Sequence, residues 1–411
     1  MKKNFKYLFS YLMKYNIIFR YFLHKVESYE SLSQDEIDKI RLNKIKKLLK
    51  ESQKTSFYRE LYRDIDLSSI KSLADLKKLP IVTRDMIQGR EEEILTHSPK
   101  FMSLGYTSGS TGEPLRVYYD YLNVLKENAY VWQYRERAGL SFKERKVSIR
   151  GDLSRDQIYS YDRYTNTLHL SSFNLNSKYI DQYYRLILDF EPKAILGYPS
   201  SLHILVLLLK EHSLKLTIPL GFTSSEKLYP YQRELIESYL DTKIFDWYGN
   251  AERSIALYQS DNGYFKEPIL YSFNEYNRES ITTTALLSSG YLLIRYRVND
   301  LIKWENGEIL EIVGRQEDYI LLSDGTRVGR VVRIFKSVPN IKIGQIIQKK
   351  INEIDVNIVA DEFSKDDEAL LISNIDKILG GDIVYKITVV PKESIVYTAR
   401  GKFKTVISKV V

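Results

Sequence analysis

The sequence predicts an α/β protein in two parts. A large N-terminal domain of mostly parallel sheets flanked by helices, with an antiparallel subdomain, precedes a small α+β C-terminal domain. Three observations predict this. From residue 146 to 252, short apolar runs bounded by Gly, Pro and Ser alternate with helix-period segments, the pattern of a parallel sheet covered by helices. After about residue 260 the helical period fades, and strand-rich stretches with Gly turns follow, as in "SITTTALLSSGYLLIRYRVNDLIKW". From 317 to 411 comes a smaller segment with "NIKIGQIIQKKINEIDVNIVA", a helix over 364–378 and "YKITVV". The expected domains are therefore 1–316 and 317–411.

Residues 1–30 open as a basic, aromatic, amphipathic helical segment, "MKKNFKYLFSYLMKYNIIFRYFLHK". Lys14, Asn16 and Arg20 interrupt its apolar run, so it cannot span a bilayer. No small-residue cleavage site follows, which argues against a signal peptide. Two readings stay open: a helix packed on the domain, or an interfacial helix whose Lys2, Lys3, Lys6 and Lys14 meet anionic lipid. Residues 35–63 read as helix, with Ile37, Ile40, Leu42, Ile45, Leu48 and Leu49 near helical spacing. "LPIVTRDMI" gives a Pro-broken turn with Thr83 as the N-cap of a further helix. "PLRVYYD" has strand composition, and 121–138 reads as helix. Strands follow in "RKVSIRGD", "KAILGYPS", "TIPLGFTSS" and "KIFDWYGNAE", with helices in "SKYIDQYYRLILDFEP", "SLHILVLLLKEHSL" and "LYPYQRELIESYL".

Composition narrows the function. The chain of 411 residues is 44% hydrophobic and 28% charged, enough for a packed core. It has no cysteine, which excludes thiol nucleophiles, disulfides and cysteine zinc sites. Five scattered His without paired spacing argue against a structural metal. A net charge of +8 suits an anionic ligand, an anionic membrane surface or simply solubility. No dense Arg/Lys run or nucleic-acid motif is present, so no nucleic-acid partner is expected.

Ligands of parallel sheets bind at the carboxyl ends of strands. Hydroxyl- and Gly-rich stretches fall there, at 197–200, 223–226 and 248–252. The densest loop is "YTSGSTGEPLRV", residues 106–117. It lacks the Lys of a Walker A loop and has neither a GxGxxG fingerprint nor a GxSxG elbow. Free backbone N–H groups and hydroxyls can still wrap a polyphosphate. Glu252 follows Gly249 in "WYGNAE", where a carboxylate suits Mg²⁺ bridging phosphates. Asp300 in "RYRVNDLI" suits two ribose hydroxyls. Arg315 and Asp318 lie in "GRQEDYI", and Lys402 in "TARGKFK". Each has an ordinary alternative: a surface loop, a helix cap, an Asx turn, a charge cluster, a solvated basic tail. "SSEK" at 224–227 fits the SxxK pattern of penicillin-binding enzymes, but no KTG accompanies it.

In this order the segments resemble the adenylate-forming, AMP-forming acyl ligase superfamily, and within it the phenylacetate-CoA ligase-like, capsule-biosynthesis CapK type. The loop from Thr107 is similar to the superfamily's phosphate loop, "YGNAE" to YGxxE, "YRVND" to YRTGD, "GRQEDYI" to GRxxDxI and "TARGKFK" to TxxGK. "TSSEKL", "LGYPS" and the "LPIVTRDMI" lead-in resemble the subgroup. The likeness covers about residues 40–411. Leu115 and Arg116 stand where many relatives carry Lys, and Asn299 replaces a Gly.

The resemblance implies ATP-dependent formation of an acyl-adenylate with release of pyrophosphate, then acyl transfer to CoA or another acceptor. Thr107, Ser108, Gly109, Ser110, Thr111 and Gly112 then hold the β- and γ-phosphates. Glu252, with Thr111, positions Mg²⁺. Ser225, Glu226, Trp247 and Tyr248 line the adenine slot beside Gly249, with Tyr248 the stacking ring. Asp300 takes the ribose hydroxyls and Arg315 supports ribose or phosphate. Lys402 reaches the α-phosphate and carboxylate oxygens, and Asp318 is the hinge of a rotating small domain. The expected substrate is a small carboxylate or amino acid, and the expected acceptor a sugar or CoA in cell-surface polysaccharide synthesis. The expected location is cytoplasmic, with membrane association through the N-terminal helix. Two alternatives stay open: AMP transfer to a hydroxyl, and a catalytically silent scaffold.

Overall fold

The computed structural model describes residues 2–107, 115–151, 153, 157–277, 280–315, 319–323, 327–329, 331–335, 338–397 and 403–410. They form two compact units. The first takes the described residues of 2–298 and 302–311; the second takes 299–301 and those from 312 onward.

The first unit opens with two helices rather than one, α1 (Lys2–Lys14) and α2 (Ile17–Ser28). Asn16 is the reason. Its extended backbone breaks the helix, and its Oδ1 accepts the Ile18 and Phe19 N–H groups as an N-cap. The helix expected over 35–63 is likewise two, α3 (Gln34–Ser52) and α4 (Ser56–Leu61), with Thr55 capping the second. Thr83 precedes only one turn, α5 (Arg84–Ile87), and makes no side-chain cap. Its neighbour Val82 is held as extended chain, donating N–H to the Arg295 carbonyl (2.9 Å) and accepting from Arg297 N–H (2.8 Å).

A hairpin of β1 (Ser103–Tyr106) and β2 (Arg116–Tyr119) leads to α6 (Tyr121–Arg137), capped by Asp120. The expected alternation then appears. It runs β3 (Lys146–Arg150), β4 (Tyr159–Asp162), β5 (Thr167–Ser171), α7 (Ile180–Phe190), β6 (Ala194–Gly197), α8 (Pro199–Glu211), β7 (Leu220–Ser224), α9 (Pro230–Leu240) and β8 (Lys243–Gly249). Strands β5, β3, β6, β7 and β8 lie parallel in that spatial order. Helix α8 is buried on nearly every side because α7 and α9 flank it, which explains its unbroken "LHILVLLL". Leu202, Leu205, Val206 and Leu209 there are fully buried, each stabilising by roughly 1.5–3 kcal/mol.

The antiparallel region divides between two sheets. Strands β9 (Ala256–Gln259) and β10 (Phe265–Lys266) extend the large sheet, whereas β11 (Ser272–Tyr276), β12 (Ile281–Ala285) and β13 (Tyr296–Val298) form their own. Strands β14 (Asp300–Glu305) and β15 (Glu308–Arg315) complete the large sheet at ten strands.

The second unit holds the hairpin β16 (Tyr319–Leu321) and β17 (Arg327–Gly329), then β18 (Ile343–Lys350), β19 (Glu353–Val359), α10 (Lys365–Leu379), β20 (Val384–Val389) and β21 (Val406–Ser408). The last four strands form one sheet, ordered β20-β19-β18-β21. Helix α10 buries Leu371, Ile375 and Leu379 against Ile346, Ile354, Val356 and Ile358 of that sheet. A Ser364–Asp367 capping box starts it.

Candidate active site

The 106–117 segment is closed at its base. Thr107 N–H donates to the Leu115 carbonyl (3.0 Å), and Leu115 N–H donates back to Thr107 Oγ1 (3.0 Å). Both residues are buried. Thr107, expected among the phosphate ligands, thus spends a hydroxyl lone pair closing the loop. Ser108, Gly109, Ser110, Thr111 and Gly112 lie outside the described residues. Arg116, which stands at the position of a family Lys, pairs with the buried Glu91 (3.1 Å) and with Glu92 (3.5 Å).

One side chain ties this hairpin to the turn carrying Glu252. Tyr119 packs its ring on Gly105 across the hairpin, so closely that a Cβ on Gly105 would lie 2.6 Å from it. The Tyr119 hydroxyl donates to the Ala251 carbonyl (2.6 Å). The Arg253 guanidinium stacks 4.2 Å from the ring centroid and bonds Asn123 Oδ1 (2.8 Å). The turn is itself locked: Asn250 exchanges two side-chain hydrogen bonds with Ser254, and Arg253 takes a left-handed φ of +52°. Glu252 Oε1 accepts from Tyr296 Oη (3.1 Å). Burial, and then the charge of Glu252, push the Tyr296 phenol well above its ordinary range, so it stays a donor at neutral pH. The "LPIVTRDMI" lead-in belongs here too, because Val82 bridges to Tyr296.

The parallel strands deliver a second group at their carboxyl ends. Ser225, just past β7, has a left-handed φ of +72°, a backbone state that non-Gly residues hold mostly where surrounding structure enforces it. Glu226 accepts the Ser200 N–H (3.1 Å) at the start of α8, a site that favours negative charge. Gly197, at the end of β6, lets Leu202 of α8 pack on the strand; a Cβ there would lie 2.7 Å from Leu202. Beneath, Thr223 donates to Asp246 (2.6 Å), and burial pushes the Asp246 carboxyl up to about 6.

Trp247 and Tyr248 do not share a face, since successive strand residues point to opposite sides. Trp247 joins an aromatic cluster, its ring 5.3 Å from Tyr134 and 6.5 Å from Tyr271. Tyr248 is half-buried on the other side, and Gly249 is exposed at the strand end. Asp300 begins β14, and Arg315 ends β15 with its side chain outside the described residues. Asp318 and Lys402 also lie outside them.

Sequence reasoning missed Arg150. It ends β3, stacks over Tyr198 (5.8 Å) and donates to Ser224 Oγ (3.0 Å), thereby crossing the end of β6. Beside it the buried Ser171, Ser172 and Ser200 hydroxyls have no hydrogen-bond partner among the described residues. A basic residue after an ordinary strand carries no sequence signal. Gln345 was missed as well. Fully buried on β18, it bonds the Val396 N–H and the Val396 and Lys404 carbonyls. With the Tyr397–Phe403 bridge it closes the neck of the segment containing Lys402.

Comparison with known proteins bears on the fold. Residues 320–409 match the family model of the CapK C-terminal domain. Protein CapK of Staphylococcus aureus is 22% identical over 291 residues, and the match spans 65% of each chain, just under two thirds of that relative. Among solved structures the chain is similar to 2-hydroxyisobutyryl-CoA ligase in the postadenylation state in complex with R3-HIB-AMP, with TM-score 0.69, 16% identity and coverage of 92% of this chain and 90% of that one. The same ligase with 2-HIB-AMP and CoA in the thioesterification state gives TM-score 0.57 and 17% identity, covering 92% and 91%. The anthranilate CoA ligase AuaEII in complex with anthranoyl-AMP gives 0.50 and 14%, covering 76% and 66%. The chain therefore has the fold of these adenylate-bound CoA ligases, and its residues 320–409 are similar to the CapK C-terminal domain.

Proposed function

We propose that this chain activates a small carboxylate or amino acid with ATP as an acyl-adenylate, releases pyrophosphate, and passes the acyl group to CoA or to a sugar acceptor in cell-surface polysaccharide synthesis. The observation that carries the reading is the Tyr119 tether, which joins strand β2, just after the hydroxyl- and Gly-rich segment in the chain, to the turn bearing Glu252. Catalysis of this kind is positioning plus neutralisation of charge at phosphorus.

In this reading Ser108 to Gly112 cradle the β- and γ-phosphates. Glu252, which accepts a hydrogen bond from Tyr296, offers its carboxylate charge to a hard cation. Mg²⁺ would be held by Glu252 together with phosphate oxygens. Such an ion would draw charge from the phosphates. Ser225, Glu226 and Tyr248 bound the adenine, Asp300 takes the ribose hydroxyls, Arg315 supports them, and Lys402 supplies an ammonium to the α-phosphate. We place the domain boundary at 316/317, with Asp318 as hinge. The 2-hydroxyisobutyryl and anthranoyl adenylates bound by the similar ligases support a small acid as substrate.

The test is pyrophosphate release from Mg·ATP with pooled carboxylates, wild type beside Lys402→Ala. Release by the wild type alone, from a defined pool, is expected. Equal release by both proteins overturns the lysine assignment. AMP found attached to a hydroxyl acceptor by mass spectrometry replaces acyl transfer with adenylyl transfer.

A further inference from the structure

The N-terminal helices have apolar surface on the side that the fold does not use. Tyr15, Phe19, Phe22 and Val26 face inward against Trp132 and its neighbours. Outward, Phe9, Leu12 and Met13 of α1 and Ile17, Ile18 and Tyr21 of α2 are exposed, Ile17 by 77% and Phe9 by 59%. A helix packed on a domain needs one apolar face; α2 has two. The outer stripe runs at i, i+3, i+4 along α1 and i, i+1, i+4 along α2, so each helix presents a coherent strip. Tyr121 and Leu122 at the start of α6 add to it, since the Tyr121 hydroxyl bonds the Met13 carbonyl (3.0 Å). A contiguous exposed apolar patch marks an interaction surface.

Charge identifies the partner. The first 26 residues contain six Lys or Arg and no Asp or Glu. Lys14, Arg20 and Lys25 are exposed on the same two helices. Lys25, Lys44 and Lys126 repel one another closely enough that, after burial, Lys126 and Lys25 help lower the Lys44 ammonium to about 8. A protein partner needs an acidic counter-surface built for it, whereas an anionic bilayer offers apolar depth and negative charge together. No helix among the described residues is long and apolar enough to cross a membrane, so the segment would lie in the interface.

We propose that the outer face of α1 and α2 docks this protein on an anionic lipid surface, with Phe9, Leu12, Met13, Ile17, Ile18 and Tyr21 entering the headgroup boundary and the flanking cations meeting lipid phosphate. This holds the enzyme where membrane-borne acceptors are found, and it stands whether or not the carboxylate chemistry is as proposed above.

The experiment is co-flotation of the full chain with vesicles of phosphatidylcholine mixed with phosphatidylglycerol, beside phosphatidylcholine alone. Three proteins are compared: wild type, the double variant Phe9→Gln/Ile17→Gln, and Val384→Gln, which removes an exposed apolar residue from the second unit. Binding to the anionic vesicles, weakened by added salt, reduced about tenfold or more in the double variant and unchanged in Val384→Gln, is the expected result. Circular dichroism melts confirm that the variants fold, since the substituted positions are exposed. No flotation, or flotation unaffected by the double variant, overturns the proposal. So does light scattering that shows a dimer split by Phe9→Gln/Ile17→Gln, which makes the face a contact between copies.

Discussion

Replacing Thr107 by Val tests whether the loop neck matters. Val matches Thr in shape and keeps the Thr107 N–H bond to the Leu115 carbonyl. It removes the Oγ1 that accepts Leu115 N–H at 3.0 Å. Leu115 is fully buried, so its N–H loses its partner without gaining water. A buried donor left unsatisfied costs about 1–3 kcal/mol. Urea denaturation should show that loss, and Thr107→Ser, which retains the hydroxyl, should recover most of it. If the loss falls on loop order rather than on the whole fold, it reappears in nucleotide binding. At about 1.4 kcal/mol per tenfold, the KM for ATP in pyrophosphate release rises roughly 5- to 150-fold. A Thr107→Val protein within about 0.5 kcal/mol of wild type, with an unchanged KM, refutes the reasoning.

Two further substitutions probe groups that the sequence did not single out. Asp246 is held near 6 rather than 3.8, chiefly by burial. The folded state then binds its proton more tightly than the unfolded state, so stability is greatest below pH 4 and declines as pH rises through 6. The decline is about 3 kcal/mol at roughly 1.4 kcal/mol per pKa unit. Asp246→Asn cannot ionise, so between pH 4 and pH 8 it should gain about that much relative to wild type in urea melts; parallel profiles would count against the buried charge. Gln345→Met should destabilise the second unit by about 3 kcal/mol or more, because one N–H and two carbonyls beside the 398–402 segment lose their partner. It should also slow pyrophosphate release. A variant with wild-type release would show that the neck does not position Lys402.

Local pattern made the architecture legible. The period change from helix to strand located β3, β6, β7 and β8 and the helices between them, because burial in a doubly covered sheet leaves an apolar run that little else produces. Boundaries were less legible. Asn16 reads as a polar interruption and acts as a cap; Gln53 to Thr55 divide a helix that the apolar spacing alone would continue. The large sheet also takes β9, β10, β14 and β15, since strand partners are chosen across the chain and not along it.

The candidate site divides the same way. Sequence by itself named candidates, by residue type and by resemblance: the Ser, Thr and Gly of 107–112, Glu252, Asp300, Arg315 and Lys402, of which 108–112 and Lys402 lie outside the described residues. It could not mark Tyr119, one of 33 tyrosines, nor Tyr296, Arg150 or Gln345, whose roles lie entirely in what they touch. It also grouped Trp247 with Tyr248, although the strand turns them to opposite faces and the Trp247 ring packs against Tyr134. Chemistry is set by side-chain identity, which the sequence states outright. Positioning is set by contacts between residues as far apart as Tyr119 and Ala251, and only the folded chain brings those together.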